Sequence, residues 1–213
     1  MLSYRFFDML MEHSQMCKPI RNIIFDLGNV IINIDPNLTL QKFREAGVVN
    51  FSDMYTIMRQ TDVFDRLDTG KITIPEFRQV VRDFSNLDLT DELIDDAWCA
   101  MLLDFPEENV ELLRKLSTEG YKLFLLSNTN ELHINFYKKY MFKRFGCDLL
   151  EELFNRTYYS HEIGLRKPNS DVYEYVLKSE NLDPSETLFI DDLEHNVIGA
   201  RQTGIKAYHY KIS

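Results

Sequence analysis

Arg21-Asn22-Ile23-Ile24-Phe25-Asp26-Leu27-Gly28-Asn29-Val30-Ile31-Ile32-Asn33 is the stretch whose reading decides the fold. A short apolar run with β-branched residues leads into Asp26, and a Gly-Asn pair follows closely. That is the pattern of a buried parallel strand delivering a carboxylate to a turn. Asp26 then stands at a strand's C-terminal edge, where the loops and helix N-termini of an open α/β sheet converge and where such sheets bind ligands.

The same device recurs further along the chain. Tyr121–Leu126 reads as a second buried strand ending in Ser127-Asn128-Thr129, and Thr187–Ile190 as another ending in Asp191-Asp192. Arg156–Ser160 is a short strand and Ile205–Tyr210 a last one. Helices are expected between them, from Pro106 to Glu119 and over Leu132–Phe145, Asp148–Phe154, Ser170–Ser179 and about Glu194–Gln202. Strands alternating with helices mean an α/β protein with a doubly wound parallel sheet.

Between the first and second strands the chain changes character. Asp35-Pro36-Asn37 opens a helix through Ala46, and Phe51–Gln60, Ile74–Phe84 and Thr90–Leu103 place apolar residues three or four apart. The expectation is an inserted α-helical unit over residues 36–104, with the sheet domain made of residues 21–35 and 105–213 and an N-terminal extension over 1–20. Asp65–Glu76 mimics a calcium-binding EF-hand loop at its first, sixth, eighth and twelfth positions. Leu67 and Thr69 occupy two ligand positions, however, so the segment reads as a helix-turn-helix joint. Trp98 and its apolar neighbours read as core of the insert.

Composition narrows the function. Hydrophobic residues make up 45% of 213 and charged residues 27%, ordinary for a globular protein, and the net charge is −10. That balance argues against nucleic acid or an anionic membrane surface as main partner, and nothing in the sequence calls for an obligate protein partner. Cys17, Cys99 and Cys147 are far apart and form no Cys-x-x-Cys pair. With no apolar run long enough for a bilayer and no signal-peptide core in Met1–Lys18, a cytoplasmic location is expected.

Parallel strands end on one sheet edge, so Asp26, Ser127-Asn128-Thr129 and Asp191-Asp192 can converge, with Lys167 in a loop just before a helix. Clustered carboxylates repel unless a cation sits between them, and an all-oxygen site suits Mg²⁺. A hydroxyl, backbone N–H groups and an ammonium complement the charge of a phosphoryl group. A carboxylate held in line with phosphorus can attack it and form an acyl phosphate.

Phe25-Asp26-Leu27-Gly28-Asn29-Val30, Leu126-Ser127-Asn128-Thr129-Asn130, Gly164-Leu165-Arg166-Lys167-Pro168 and Phe189-Ile190-Asp191-Asp192-Leu193-Glu194-His195-Asn196 resemble the four ordered motifs of the haloacid dehalogenase superfamily. The wording is similar to bacterial α-D-glucose-1-phosphate phosphatases and to the phosphatase domain of soluble epoxide hydrolases. The resemblance implies a Rossmann-like core with a helical cap, and a Mg²⁺-dependent phosphatase of a small phosphorylated metabolite. It implies Asp26 as nucleophile and metal ligand, the Gly28 carbonyl and Asp192 as further ligands, and Asp191 acting from behind them. Ser127, Asn128 and Lys167 would bind the phosphoryl group, and Asn196 would be a supporting amide.

Gly28 departs from the pattern. Phosphatases of this superfamily mostly carry a second aspartate there as general acid and base, whose loss commonly costs ~10²–10⁴-fold in rate. Two expectations follow: preference for a leaving group needing little protonation, such as the anomeric oxygen of a sugar 1-phosphate, or use of water or another carboxylate such as Asp35. His133 follows Ser-Asn-Thr-Asn closely and either faces the substrate or packs inward. The rival readings are a metal-independent dehalogenase, against which the Asp191-Asp192 pair argues, and a non-catalytic binding protein. A response-regulator receiver shares the inventory, but its acidic pair comes early in the chain, whereas here it comes last.

Overall fold

The computed structural model describes residues 19–48, 51, 56, 58 and 62–211. Of the extension read over residues 1–20, only Pro19 and Ile20 are among them, and Ile20 packs in the core with Ile23 and Phe25; all of the helix expected over Phe51–Gln60 except Phe51, Thr56 and Met58 lies outside. Among the described residues one sheet forms from β1 (Asn22–Phe25), β2 (Lys122–Ser127), β3 (Arg156–Tyr159), β4 (Thr187–Asp191) and β5 (Lys206–His209). All pairings are parallel and the order is β3-β2-β1-β4-β5, so the expected α/β fold with a parallel sheet is what the chain adopts.

Between β1 and β2 run α1 (Pro36–Glu45), α2 (Val63–Asp68), α3 (Ile74–Ser85), α4 (Asp91–Cys99) and α5 (Glu107–Thr118). Next come α6 (Glu131–Phe145) and α7 (Leu149–Leu153) before β3, then α8 (Ser160–Ile163) and α9 (Ser170–Glu180) before β4. Helix α10 (Glu194–Gln202) joins β4 to β5.

Strand alternation places core on both faces of the sheet. Ile23, Phe25, Leu123, Leu125 and Ile190 pack with residues of α5, α6 and α7, while Ile24, Phe124, Leu126 and Phe189 pack with α9 and α10. The helices of the insert bury a third cluster, which includes Phe43, Phe77, Ile94 and Trp98 and also takes in Leu132 from α6. β1 lies at the centre of the sheet. Phe25 is opposite Leu125 on one side and Ile190 on the other, and the Asp26 N–H donates to the Ile190 carbonyl at 2.9 Å. The chain leaves β1 for β2 on one flank and reaches β4 on the other, so the ends of these strands flank a switch in strand order.

Two local expectations fail, each for a visible reason. The helix read over Thr90–Leu103 stops at Cys99 because the following backbone pairs with the outgoing chain: Asp35 N–H donates to the Met101 carbonyl at 2.8 Å and Leu103 N–H to Asn33 at 3.0 Å. The strand read through Ser160 ends at Tyr159, and Ser160 opens α8 instead. Its hydroxyl accepts from the Thr129 N–H at 2.9 Å and donates to the Thr129 carbonyl at 3.0 Å, which ties that helix to the turn after β2. The EF-hand-like segment is a joint between α2 and α3. Glu76 accepts from the Thr73 N–H at 2.7 Å in a capping box, which occupies the carboxylate that a calcium loop needs. No helix of the described residues is long and apolar enough to cross a membrane.

Candidate active site

Lys167 ties the sheet edge together. Its side chain is buried, and an ammonium taken from water needs paired charge. Nζ donates to Asp26 Oδ1 at 2.6 Å and to Asp191 Oδ2 at 2.7 Å, and lies 5.3 Å from the centre of the Phe189 ring. The loop carrying it is clasped by one side chain, because Asn128 Nδ2 donates to the Lys167 carbonyl and Asn128 Oδ1 accepts from the Lys167 N–H, both at 2.9 Å. Helix α10 presses on the same loop: a Cβ on Gly199 would lie 2.2 Å from the Pro168 carbonyl oxygen, so only glycine fits.

Asp191 is saturated. Besides Lys167 it accepts from the Leu193 N–H at 2.8 Å and from Asn196 Nδ2, 3.0 Å from each carboxylate oxygen. Asp192 is half-buried; its Oδ2 accepts from Asn29 Nδ2 at 3.2 Å, and its carbonyl lies 2.9 Å from His209 Nε2. Asn29 reaches it from a left-handed turn conformation, φ 56°, which asparagine tolerates. Carboxylate oxygens of Asp26, Asp191 and Asp192 lie within 4.8 Å of one another.

Burial raises the pKa of Asp26, the Lys167 ammonium pulls it back, and Asp191 and Asp192 raise it further, so that it stands at about 7. Asp192 is also raised, mainly by burial. Three acidic groups with one ammonium among them form a site short of positive charge. The donors are all oxygen, so they fit a hard divalent cation.

A cavity of about 420 Å³ opens on this edge at Gly28, Ser127 and Asn128. The insert supplies part of its wall through Phe64, Asp65, Asp68 and Trp98, and the core adds Asn130, His133 and Arg166. The structure thus joins Asp26, Lys167, Asp191, Asn196 and Asn128 by direct hydrogen bonds. Asp192 stands beside them in the carboxylate cluster, while Gly28 and Ser127 share the cavity wall. Asp35 takes another part: its side chain caps α1, accepting from the Asn37 N–H at 3.0 Å, and it does not line the cavity.

His133 packs and also lines the cavity. Its ring stacks on Trp98 with centroids 5.3 Å apart; Nε2 lies 3.4 Å from the Trp98 carbonyl and Nδ1 3.5 Å from Asn130 Nδ2. Burial pushes its pKa down to about 4.

Sequence reasoning passed over Asn29, Asp68, Asn130 and Arg166. Asn130 Nδ2 donates to Asp68 Oδ1 at 3.2 Å, and Arg166 pairs with Asp65, so two side chains of the core hold α2. Asn29 stood in a recognised Gly-Asn turn, and Asp68 beside Gly70 in the segment set aside as a false calcium loop.

A parallel sheet with a helical insert after β1, a carboxylate at the end of β1, an acidic pair at the end of β4 and a buried lysine between them define a haloacid dehalogenase-like hydrolase. The chain belongs to that family, whose sequence profile matches residues 23–209. It is 29% identical over 189 residues to the D-ribitol-5-phosphate phosphatase of Bacteroides thetaiotaomicron, covering 89% of this chain and 91% of that one. A haloacid dehalogenase family enzyme of the same organism, crystallised with magnesium and inorganic phosphate, superposes with a TM-score of 0.83 at 36% identity, over 90% of this chain and 94% of that one. A family hydrolase of Porphyromonas gingivalis gives 0.79 at 31% identity, over 89% and 90%.

Proposed function

We propose that the protein is a Mg²⁺-dependent phosphatase of small phosphorylated sugars or polyols. The observation that carries this reading is the contact of Asp26 with Lys167 inside a cluster of three carboxylates, at an edge that also carries Ser127. Relatives named as phosphatases, and a structural neighbour holding magnesium and phosphate, support it.

Asp26 attacks phosphorus and becomes the aspartyl phosphate, which water then hydrolyses. Lys167 holds the attacking carboxylate and neutralises charge on the phosphoryl oxygens. Ser127 and the Asn128 backbone bind those oxygens, and Asn128 also fixes the Lys167 loop. Magnesium would be held by Asp26, Asp192 and the Gly28 carbonyl, and it supplies charge neutralisation for phosphoryl transfer. Asp191, already engaged by three donor groups, orients Lys167 rather than meeting the metal, and Asn196 holds Asp191. The helices of residues 36–104 act as the cap that closes the cavity and selects the substrate.

The sugar 1-phosphate preference rested on the lack of a proton donor at Gly28. The cavity contains two further carboxylates, Asp65 and Asp68, so phosphates of primary alcohols belong in the class as well. The test is phosphate release from a panel of sugar 1-phosphates, sugar 6-phosphates and polyol phosphates, with and without Mg²⁺, beside Asp26→Asn. Release that needs Mg²⁺ and vanishes in a folded Asp26→Asn protein is the expected result. Wild-type protein that binds Mg²⁺ but releases phosphate from none of them overturns the proposal in favour of a binding protein, and halide release from haloacids without metal overturns it in favour of a dehalogenase.

A further inference from the structure

We infer that Asp68, carried by the helical insert, is the general acid and base that position 28 lacks. The inference rests on the phosphatase reading above. Glycine at position 28 offers no carboxyl, and a Cβ there would lie 3.1 Å from Ile34 Cδ1, the end of the side chain that lies over this position. The proton must then come from elsewhere on the cavity wall.

Besides Arg166 and Tyr137, whose hydroxyl donates to the Leu103 carbonyl, the titratable side chains on that wall are Asp65, Asp68, His133 and His195. Asp65 is ion-paired with Arg166. His133 is a poor proton carrier, since Nε2 faces the Trp98 carbonyl and Nδ1 the Asn130 amide, so both ring nitrogens are engaged within the protein. His195 is exposed on the first turn of α10. Asp68 is half-buried and positioned: Asn130 Oδ1 accepts from the His133 N–H, which orients the amide so that Nδ2 donates to Asp68 Oδ1. No described residue donates to the other carboxyl oxygen, which is left for a proton and a ligand. Asn130 lies three residues after Ser127, on the turn that binds the phosphoryl group in the reading above.

The surrounding charges do not cancel this role. On α8, which packs against α2, His161 Nδ1 is engaged at the Thr129 carbonyl, and the chain between α2 and α3 bears Lys71. On α3, Glu76 is held by Thr73, and Arg78 is paired with Asp91 and Asp95. Burial raises the carboxyl of Asp68 to about 6, close to where a group that must both give and take a proton works best.

In the first step an Asp26 oxygen bonds to phosphorus and the bond from phosphorus to the substrate oxygen breaks. The electron pair stays on that oxygen, and it takes the proton from Asp68. In the second, ionised Asp68 takes a proton from water as the water oxygen bonds to phosphorus and the Asp26–phosphorus bond breaks, releasing inorganic phosphate.

The experiment compares Asp68→Asn with wild type on two esters, glucose 6-phosphate, whose alkoxide must be protonated, and 4-nitrophenyl phosphate, whose phenolate leaves unaided. The expected result is a loss of ~10²-fold or more in kcat for the sugar phosphate and about threefold or less in the first turnover of the nitrophenyl ester, with Asp68→Glu partly restoring the former. His195→Ala is expected to stay near wild type on both. Equal loss on the two esters, a change confined to KM, or the leaving-group signature appearing in His195→Ala instead overturns the assignment while the phosphatase reading stands. Wild type that releases phosphate neither from these esters nor from any member of the panel above overturns the phosphatase reading and this inference together.

Discussion

Lys167 shows what a single residue contributes here. Pairing with Asp26 and Asp191 makes its burial tolerable, and the same pairing holds the Asp26 carboxylate in place at the end of β1. Asp26, Asp191 and Asp192 were legible in the sequence because each ends an apolar strand. Asn29 and Asp68 were not, since the first meets a residue far along the chain and the second is brought to Asn130 only by the packing of α2. His133 was legible as a candidate but not its state. Its half-buried ring is expected to stay neutral down to about pH 4, against about 6.5 for an unfolded histidine. Between those values the unfolded chain binds a proton that the folded one does not, so this residue's share of stability is lost as pH falls from about 6.5 to 4. Imidazole NMR through a titration reads the midpoint directly; a value near 6.5 would contradict the packed, engaged ring.

At the scale of elements, most strands and helices followed from the periodicity of apolar residues. What escaped was set by contacts between segments: α8 forms where Ser160 grips Thr129, and residues 101–104 leave the helix to pair with 33–35. Helix α10 was legible, yet not its close approach to the lysine loop. Gly199 allows the helix backbone to lie against Pro168, next to Lys167. Gly199→Ala is therefore expected to cost about 1–3 kcal/mol of stability by overpacking and to lower phosphate release by shifting the loop. Ile198→Ala, on an exposed position of the same helix, should change stability by less than about 0.5 kcal/mol. Urea unfolding of the two variants checks both, and equal small effects would mean that the contact between α10 and the loop is not tight.

At the scale of the whole molecule, the parallel order of strands brings groups from residues 26, 127, 167 and 191 to one edge, which is why distant motifs could be read as one site. The cavity was not readable in the same way, because its shape depends on how the insert's own core, built around Phe43, Phe77 and Trp98, sits over that edge. In the reaction proposed above, the sheet edge would handle the phosphoryl group and the insert would meet the rest of the substrate. The central claim is that Asp26 carries the phosphoryl group in transit. Borohydride added during turnover reduces an acyl phosphate to the alcohol, so peptide mass spectrometry of the trapped enzyme should find homoserine at position 26. Steady phosphate release with Asp26 recovered unmodified, or with the reduced residue elsewhere, would contradict the account.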